Sequence, residues 1–153
     1  MDFFEDARKD VEDRLGVSLK GEPPEVITAA TDEEFVRRHE ELSGAKPLDW
    51  VLAVAFPHRN VLLLRGSRLN AGANFAGPTL RHEIGHLVLA RVARRSGQAL
   101  PKWLEEGLCE HAAGVALSRE EELDLGAAAR FGRLESLEQL AASFPPHAPG
   151  AQR

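Results

Sequence analysis

The chain has 153 residues, of which 43% are apolar and 28% charged, and its formal net charge is −5. This length and composition predict one domain with its own hydrophobic core. The acidic balance gives no support to nucleic-acid binding, which typically needs a basic surface. No apolar run approaches the roughly 20 residues that a membrane-spanning helix needs, so we expect no membrane span in this chain.

The first ten residues, MDFFEDARKD, are acidic and lack the apolar core of a signal peptide. We therefore expect a soluble, cytoplasmic protein, or a secreted or membrane-anchored one if an upstream segment has been removed. Cys109 is the only cysteine, which excludes an internal disulfide and a cysteine cluster for zinc. Any metal ion must then be bound by histidine and carboxylate side chains.

The first half of the chain mixes helix and strand signals. Helical spacing of apolar residues predicts a helix over residues 3–15, and residues 26–30 form a short β-rich run. A capping-box pattern at Thr31 predicts a helix from there to Leu42. Two further β-rich runs are separated by the four residues PHRN and predict a β-hairpin, with strands at residues 50–56 and 61–65.

The second half of the chain is predicted to be a loop followed by four helices. Residues 66–77 are rich in glycine, so we expect the loop there, with a short edge strand near Asn74 and Phe75. Pro78 suits the first turn of a helix, and the helix that it begins is expected to end near Arg95. Proline, glycine and capping signals predict three more helices, over residues 102–113, from 118 to about 131, and after 136.

This order of elements predicts the α+β class. We interpret the chain as one domain with an α/β part over residues 1–77, a helical part over residues 78–145 and a loose tail over residues 146–153. Four residues of the central helix are expected in the core: Leu80, Ile84, Leu87 and Val88. Gly85 is expected to let another backbone approach this helix, and Cys109 is expected to be a small buried residue.

The central helix contains the sequence HEIGH from His82 to His86. Residues four apart lie one turn apart on a helix, so His82 and His86 are spaced to bind a single zinc ion. Glu83 lies beside them, where its carboxylate can take a proton from a metal-activated water. Because histidine pairs also occur on helices without metal, the motif alone leaves a domain without metal as an alternative.

A third ligand is available on the next predicted helix. Glu106 follows His86 by twenty positions, and three protein ligands with an open fourth position are typical of a catalytic zinc site. Glu110, one turn later, can accept a hydrogen bond from the far ring nitrogen of a ligand histidine. Glu105 points about 100° away from Glu106, and we expect it to face solvent.

The sequence RHEIGH followed by PKWLEEGLCEH resembles the gluzincins, zinc peptidases that combine HExxH with a downstream glutamate. Over about residues 48–114 it is most similar to the peptidase MA-like domain family of bacteria. The resemblance implies a zincin-like fold, in which a small β-sheet with a hairpin packs on the HExxH helix and a helical part follows. It also implies one Zn²⁺ ion bound by His82, His86 and Glu106, with Glu83 as general base and Glu110 behind a ligand histidine.

The sequence departs from the gluzincin pattern in the residue that stabilises the oxyanion formed during peptide hydrolysis. Gluzincins commonly use a tyrosine or a histidine for this, and this chain contains no tyrosine. His111, at a position that is often aromatic in the family, is a candidate donor, with packing or a role at the helix end as the alternative. His58 in the hairpin loop is a weaker candidate. The family also continues with one or two more helices, so a domain that is truncated at its C-terminus is left as an alternative.

These features favour a zinc metallopeptidase that hydrolyses peptide bonds in a peptide or protein substrate. An extended substrate could pair with an edge strand of the hairpin or of residues 66–77. The alternative is a catalytically inactive zinc-binding module of the same fold that acts in binding or regulation. The missing tyrosine favours this alternative.

Overall fold

The computed structural model describes residues 3–18, 21–69 and 73–143. Its fold is α+β and mostly helical, with one small three-stranded sheet. In chain order the elements are α1 (Phe3–Leu15), β1 (Glu25–Ala29), α2 (Asp32–Ser43), β2 (Ala53–Phe56), β3 (Val61–Arg65), α3 (Gly66–Leu69), α4 (Ala73–Ser96), α5 (Lys102–Ala113), α6 (Arg119–Arg130) and α7 (Leu137–Ser143). No helix among the described residues is long and apolar enough to span a membrane. The tail predicted over residues 146–153 lies outside the described residues.

The sheet has the strand order β1-β3-β2, with β3 in the centre. β2 and β3 form the predicted antiparallel hairpin, in which Ala55 pairs with Leu62, although β2 begins at Ala53 rather than at residue 50. β1 lies parallel to β3, and α2 connects it to the hairpin. Both β1 and β2 are therefore edge strands.

The prediction of a loop with an edge strand over residues 66–77 is wrong for residues 66–69 and 73–77, and residues 70–72 lie outside the described residues. α3 follows β3 directly, and α4 begins at Ala73, so Asn74 and Phe75 belong to a helix. Pro78 consequently lies inside α4 instead of at its start. A proline inside a helix removes one backbone donor and clashes with the carbonyl four residues before it, at a cost of about 3 kcal/mol. α4 nevertheless includes the five residues that precede Pro78.

The predicted caps define several helix ends. The Thr31 hydroxyl accepts a hydrogen bond from the Glu34 N–H at the start of α2 (3.2 Å). Ser118 and Glu121 form a complete capping box at the start of α6. α5 ends at Gly114, whose φ of 74° lies in the left-handed region that favours glycine. These local interactions explain why the bounds of α5 and α6 agree with the sequence prediction.

α4 is the centre of the main core. Its four predicted core residues are between 0% and 4% exposed: Leu80, Ile84, Leu87 and Val88. They pack against α1, against Leu62 on one face of the sheet and against Ala112 of α5. On the other face of the sheet, Leu63 packs against Phe35 of α2, and the guanidinium of the buried Arg65 lies 4.3 Å from the Phe35 ring centroid.

Gly85 allows α4 and α5 to pack closely. A Cβ atom at this position would lie 3.0 Å from the sulfur and 3.3 Å from the Cα atom of Cys109, which is completely buried. The close approach predicted at Gly85 and the burial predicted for Cys109 are both confirmed. Arg81 also links the two helices, because its Nε donates a hydrogen bond to the Ala113 carbonyl at the end of α5 (3.0 Å).

We expect Gly85→Val to lower the free energy of unfolding by about 1–3 kcal/mol, because a larger side chain would overlap the backbone of α5. Gly107→Ala is the control, since Gly107 also lies within a helix but a Cβ atom there would meet nothing within 4 Å. Alanine at residue 107 should raise the stability by up to about 1 kcal/mol. Urea unfolding followed by circular dichroism measures both. A Gly85→Val variant as stable as the wild type would contradict this close packing.

Candidate metal centre

α4 presents His82 and His86 on one face, as their four-residue spacing predicts. Their Nε2 atoms lie 3.2 Å apart, and the two rings meet edge to face with centroids 5.0 Å apart. His82 is buried and His86 is half-buried. The two Nε2 atoms therefore point toward the same small region between α4 and α5.

α5 brings Glu106 to this histidine pair. Its Oε2 atom lies 3.4 Å from His82 Nε2, and its Oε1 atom lies 3.7 Å from His86 Nε2. One ligand atom from each of the three residues lies within 4.8 Å of the other two. The three residues that the sequence predicts as ligands are thus brought together, and the group can hold a metal ion.

A carboxylate lies behind each of the two imidazole rings. Glu110 Oε1 is 3.4 Å from His82 Nδ1, in the place that the sequence predicts for it. Glu105 Oε1 accepts a hydrogen bond from His86 Nδ1 at 2.7 Å. The prediction that Glu105 faces solvent is therefore wrong. Such carboxylates hold an imidazole in the tautomer that leaves Nε2 for the metal, and they raise its basicity.

The error over Glu105 has a geometric cause. The face that a helix presents to its neighbours is about 100° wide, so consecutive residues can both reach a neighbouring helix from its two margins. Glu106 lies against the Nε2 atoms of both histidines, while Glu105 reaches the outer nitrogen of His86. This hydrogen bond lowers the pKa of Glu105.

Lys102 is a further residue of the site that the sequence prediction missed. Its Nζ atom lies 2.7 Å from Glu106 Oε1 and 3.7 Å from Glu105 Oε2. Burial by itself raises the pKa of Glu106, but hydrogen bonds from His82 and Lys102 outweigh it and lower the pKa to about 2. The sequence contained a signal for this contact, because a lysine four residues before a glutamate lies on the same helix face.

Glu83 lies between the histidine pair and the edge of the sheet. It is half-buried, and its Oε2 atom accepts a hydrogen bond from the backbone N–H of Ala55 in β2 at 2.7 Å. Burial of its carboxyl group raises the pKa of Glu83, although the nearby His86 and His82 act in the opposite direction. A carboxylate with a raised pKa is better suited to accept a proton near neutral pH.

A carboxylate lies close to each ring nitrogen of His82: Glu106 near Nε2 and Glu110 near Nδ1. Burial by itself lowers the pKa of His82, but its hydrogen bonds to Glu106 and Glu110 outweigh this and raise the pKa to about 10. His82 Nε2 lies 3.4 Å from Oε2 of the same Glu106 carboxylate that would share a metal ion with it. A metal ion and a proton therefore compete for this nitrogen.

The two candidate oxyanion donors lie elsewhere. His111 is exposed, and its carbonyl accepts the Gly114 N–H at the end of α5. His58 is exposed in the loop between β2 and β3. Within the described part of the chain, neither belongs to the group formed by His82, His86 and Glu106. Stabilisation of an oxyanion by His111 stays a prediction.

Comparisons of the chain with models of protein families, with curated proteins and with solved structures find no match. What the metal centre can do is therefore inferred from its side chains and the distances between them. Two consequences of the geometry can be measured with Zn²⁺ as the probe ion.

Glu105→Ala is expected to weaken zinc binding by about 10–100-fold, because His86 would lose the group that orients its ring. Glu135→Ala is a matched control, since Glu135 is an exposed carboxylate outside the helices. Competition with a chromophoric chelator gives both affinities. Equal zinc affinity in the two variants would contradict the role of Glu105.

Zinc affinity is also expected to rise with pH, by about tenfold or more for each unit between about pH 6 and pH 8. Glu106 and Glu110 raise the pKa of His82 to about 10, so His82 is protonated throughout this range. Binding of an ion must therefore displace at least one proton. Repeating the chelator competition in buffers across the range measures the slope. An affinity that does not change with pH would contradict binding through His82.

Proposed function

We propose that this protein is a zinc-dependent metallopeptidase of the gluzincin type, similar to the peptidase MA-like domain family of bacteria and with its zincin-like fold. The observation that carries the proposal is the convergence of His82, His86 and Glu106 from two helices, with Glu83 next to the first ligand. The sequence motif alone is compatible with an ordinary helical histidine pair. The third ligand and the carboxylates behind both rings favour a metal site.

The types of ligand atom suit zinc. Zinc binds histidine nitrogen and carboxylate oxygen at about 2.0–2.2 Å in tetrahedral geometry, which places neighbouring ligand atoms about 3.3–3.6 Å apart. The two Nε2 atoms lie 3.2 Å apart, and the two oxygens of Glu106 lie 3.4 Å from His82 Nε2 and 3.7 Å from His86 Nε2, respectively. Two histidines and one glutamate leave a fourth position open, as in catalytic zinc sites.

Zinc at this site would supply Lewis-acid activation of a water molecule and of the substrate carbonyl. Glu83 takes the proton from the attacking water and then passes it to the amine that leaves when the peptide bond breaks. The Ala55 N–H holds Oε2 of Glu83 in place. Glu105 and Glu110 orient the two imidazoles, and Lys102 holds Oε1 of the Glu106 carboxylate.

The edge strand β2 is suited to binding an extended peptide. The Arg65 N–H donates to the Leu52 carbonyl (2.8 Å), and hydrogen-bonded pairs alternate along an antiparallel ladder. The backbone groups of Ala53 and Ala55 therefore face away from β3, and the Ala55 N–H reaches Glu83. Because the Ala55 N–H is already bonded to Glu83, a substrate strand added along this edge would pair with the remaining outward-facing backbone groups of Ala53 and Ala55, beside the proposed general base. Residues 66–77, the other candidate edge, are no longer suited because α3 and α4 occupy most of that segment.

An inactive zinc-binding module is the second candidate. The chain contains no tyrosine, and His111 is exposed outside the ligand group. Removing an oxyanion donor typically slows catalysis by about 10²–10³-fold. A protein that binds zinc at these three ligands but cleaves no peptide in a diverse library would match this second candidate.

Glu83→Gln is expected to reduce peptide hydrolysis by about 10²–10⁴-fold, because the amide cannot accept the proton of the attacking water. The zinc content should stay unchanged, since Glu83 is not one of the three ligands. Initial rates on a peptide library, measured together with bound zinc, test both expectations. Glu135→Gln is the control and should keep wild-type activity. Full activity in Glu83→Gln would refute the assignment of Glu83 as general base.

A further inference from the structure

Exposed apolar side chains are concentrated in one region of the chain. Among the described residues, ten large apolar side chains are exposed, and seven of them lie between residues 115 and 137: Val115, Leu117, Leu123, Leu125, Phe131, Leu134 and Leu137. Monomeric soluble proteins rarely expose large continuous apolar patches. This concentration makes the region between residues 115 and 137 the candidate for contact with another surface.

α6 lies in the middle of this region, and its outer face is unpartnered in the described structure. The helix contains no buried residue, and no other described element makes more than marginal contact with it. Glu122, Gly126 and Arg130 are spaced by four and line one face, with Leu123 beside them, and all four are exposed. A Cβ atom added at Gly126 would meet nothing within 4 Å, so this face is open to close approach.

Glu122 and Arg130 are complementary to the same two residues of a second, antiparallel α6. The helix begins with Arg119, the acids Glu120, Glu121 and Glu122 follow, and the last turn carries Arg130. Within the described part of the chain, neither Glu122 nor Arg130 forms a side-chain ion pair. Opposite charges that face each other across an interface favour the correct partner and register.

We propose that this face is a homodimer interface, in which α6 pairs antiparallel with α6 of a second copy around a two-fold axis near Gly126. Glu122 then faces Arg130 of the second copy, and Leu123 packs beside the small Ala129. In a two-fold interface each of these contacts occurs twice. The missing side chain at Gly126 lets the two helices approach closely at the axis.

Exposed apolar side chains at or next to this face would contribute apolar area to the interface: Leu123 of α6, and Phe131 and Leu134 after the helix. Arg133 follows outside the helix, where its guanidinium lies 5.5 Å from the Phe131 ring centroid.

Sedimentation of the full-length chain over a wide concentration range tests this proposal. The wild type should show a monomer–dimer equilibrium. Glu122→Arg would place two arginines against each other and should weaken the dimer by at least about tenfold. The double variant Glu122→Arg/Arg130→Glu should restore the dimer, because it exchanges the two charges.

Glu120→Arg is the matched control, since it makes the same charge change in the same helical turn but faces about 160° away from Glu122. It should leave the dimer unchanged. Leu123→Ser removes apolar contact without changing charge and should also weaken the dimer. Circular dichroism establishes that each variant is folded.

Two results would overturn the proposal. A wild type that is monomeric at every concentration would rule out a homodimer through this face. A dimer that Glu122→Arg leaves unchanged, or that the double variant does not restore, would place the interface elsewhere. These measurements involve no metal, so their outcome is independent of the proposed peptidase activity.

Discussion

The contact between α4 and α5 at Gly85 is the constraint on which the candidate metal centre depends. Two of the three ligand residues lie on α4 and the third lies on α5, so the distance between the helices determines the distance between the ligand atoms. A side chain at Gly85 would meet Cys109 at 3.0–3.3 Å and force the helices apart. Because a zinc ion needs its ligand atoms within about 2.2 Å, a wider separation of α4 and α5 would move the Glu106 carboxylate away from an ion bound by His82 and His86.

The electrostatics of the centre follow from this close approach. Four glutamates converge on two histidines, and Lys102 is the cation that directly contacts the Glu106 carboxylate. Partly buried like charges destabilise a folded protein unless opposite charges lie close to them. A proton on His82 places one positive charge beside the carboxylates. A divalent ion would place two positive charges beside several of them at once. Ion binding and the stability of the α4–α5 contact are therefore expected to increase together.

Much of this arrangement could be predicted from local sequence signals. Caps and helical periodicity gave the bounds of α1, α5 and α6, and the spacing of His82, His86 and Glu106 gave the group that the structure brings together. The glycine at residue 85 indicated where the helices approach. Each of these signals is contained within one helix or in the spacing between two.

The features that sequence reasoning missed depend on tertiary geometry. The contact of Glu105 with His86 depends on the position of α5 beside α4. The spacing of residues within α5 does not predict that position. The parallel pairing of β1 with β3 joins strands that are distant in sequence. The early start of α4 was missed because proline is typical of the first turn of a helix and is disfavoured inside one, whereas Pro78 lies inside α4. In each case the local pattern did not contain the information that decides the structure.

Zinc content tests the central claim most directly. The wild type and Glu106→Ala would be purified, loaded with excess zinc and dialysed, and bound zinc per chain would be measured by mass spectrometry, with Glu135→Ala as the control. A site built from His82, His86 and Glu106 predicts one ion per chain in the wild type and the control, and much less than one in Glu106→Ala. Equal zinc in Glu106→Ala and the wild type, or none in the wild type, would contradict it.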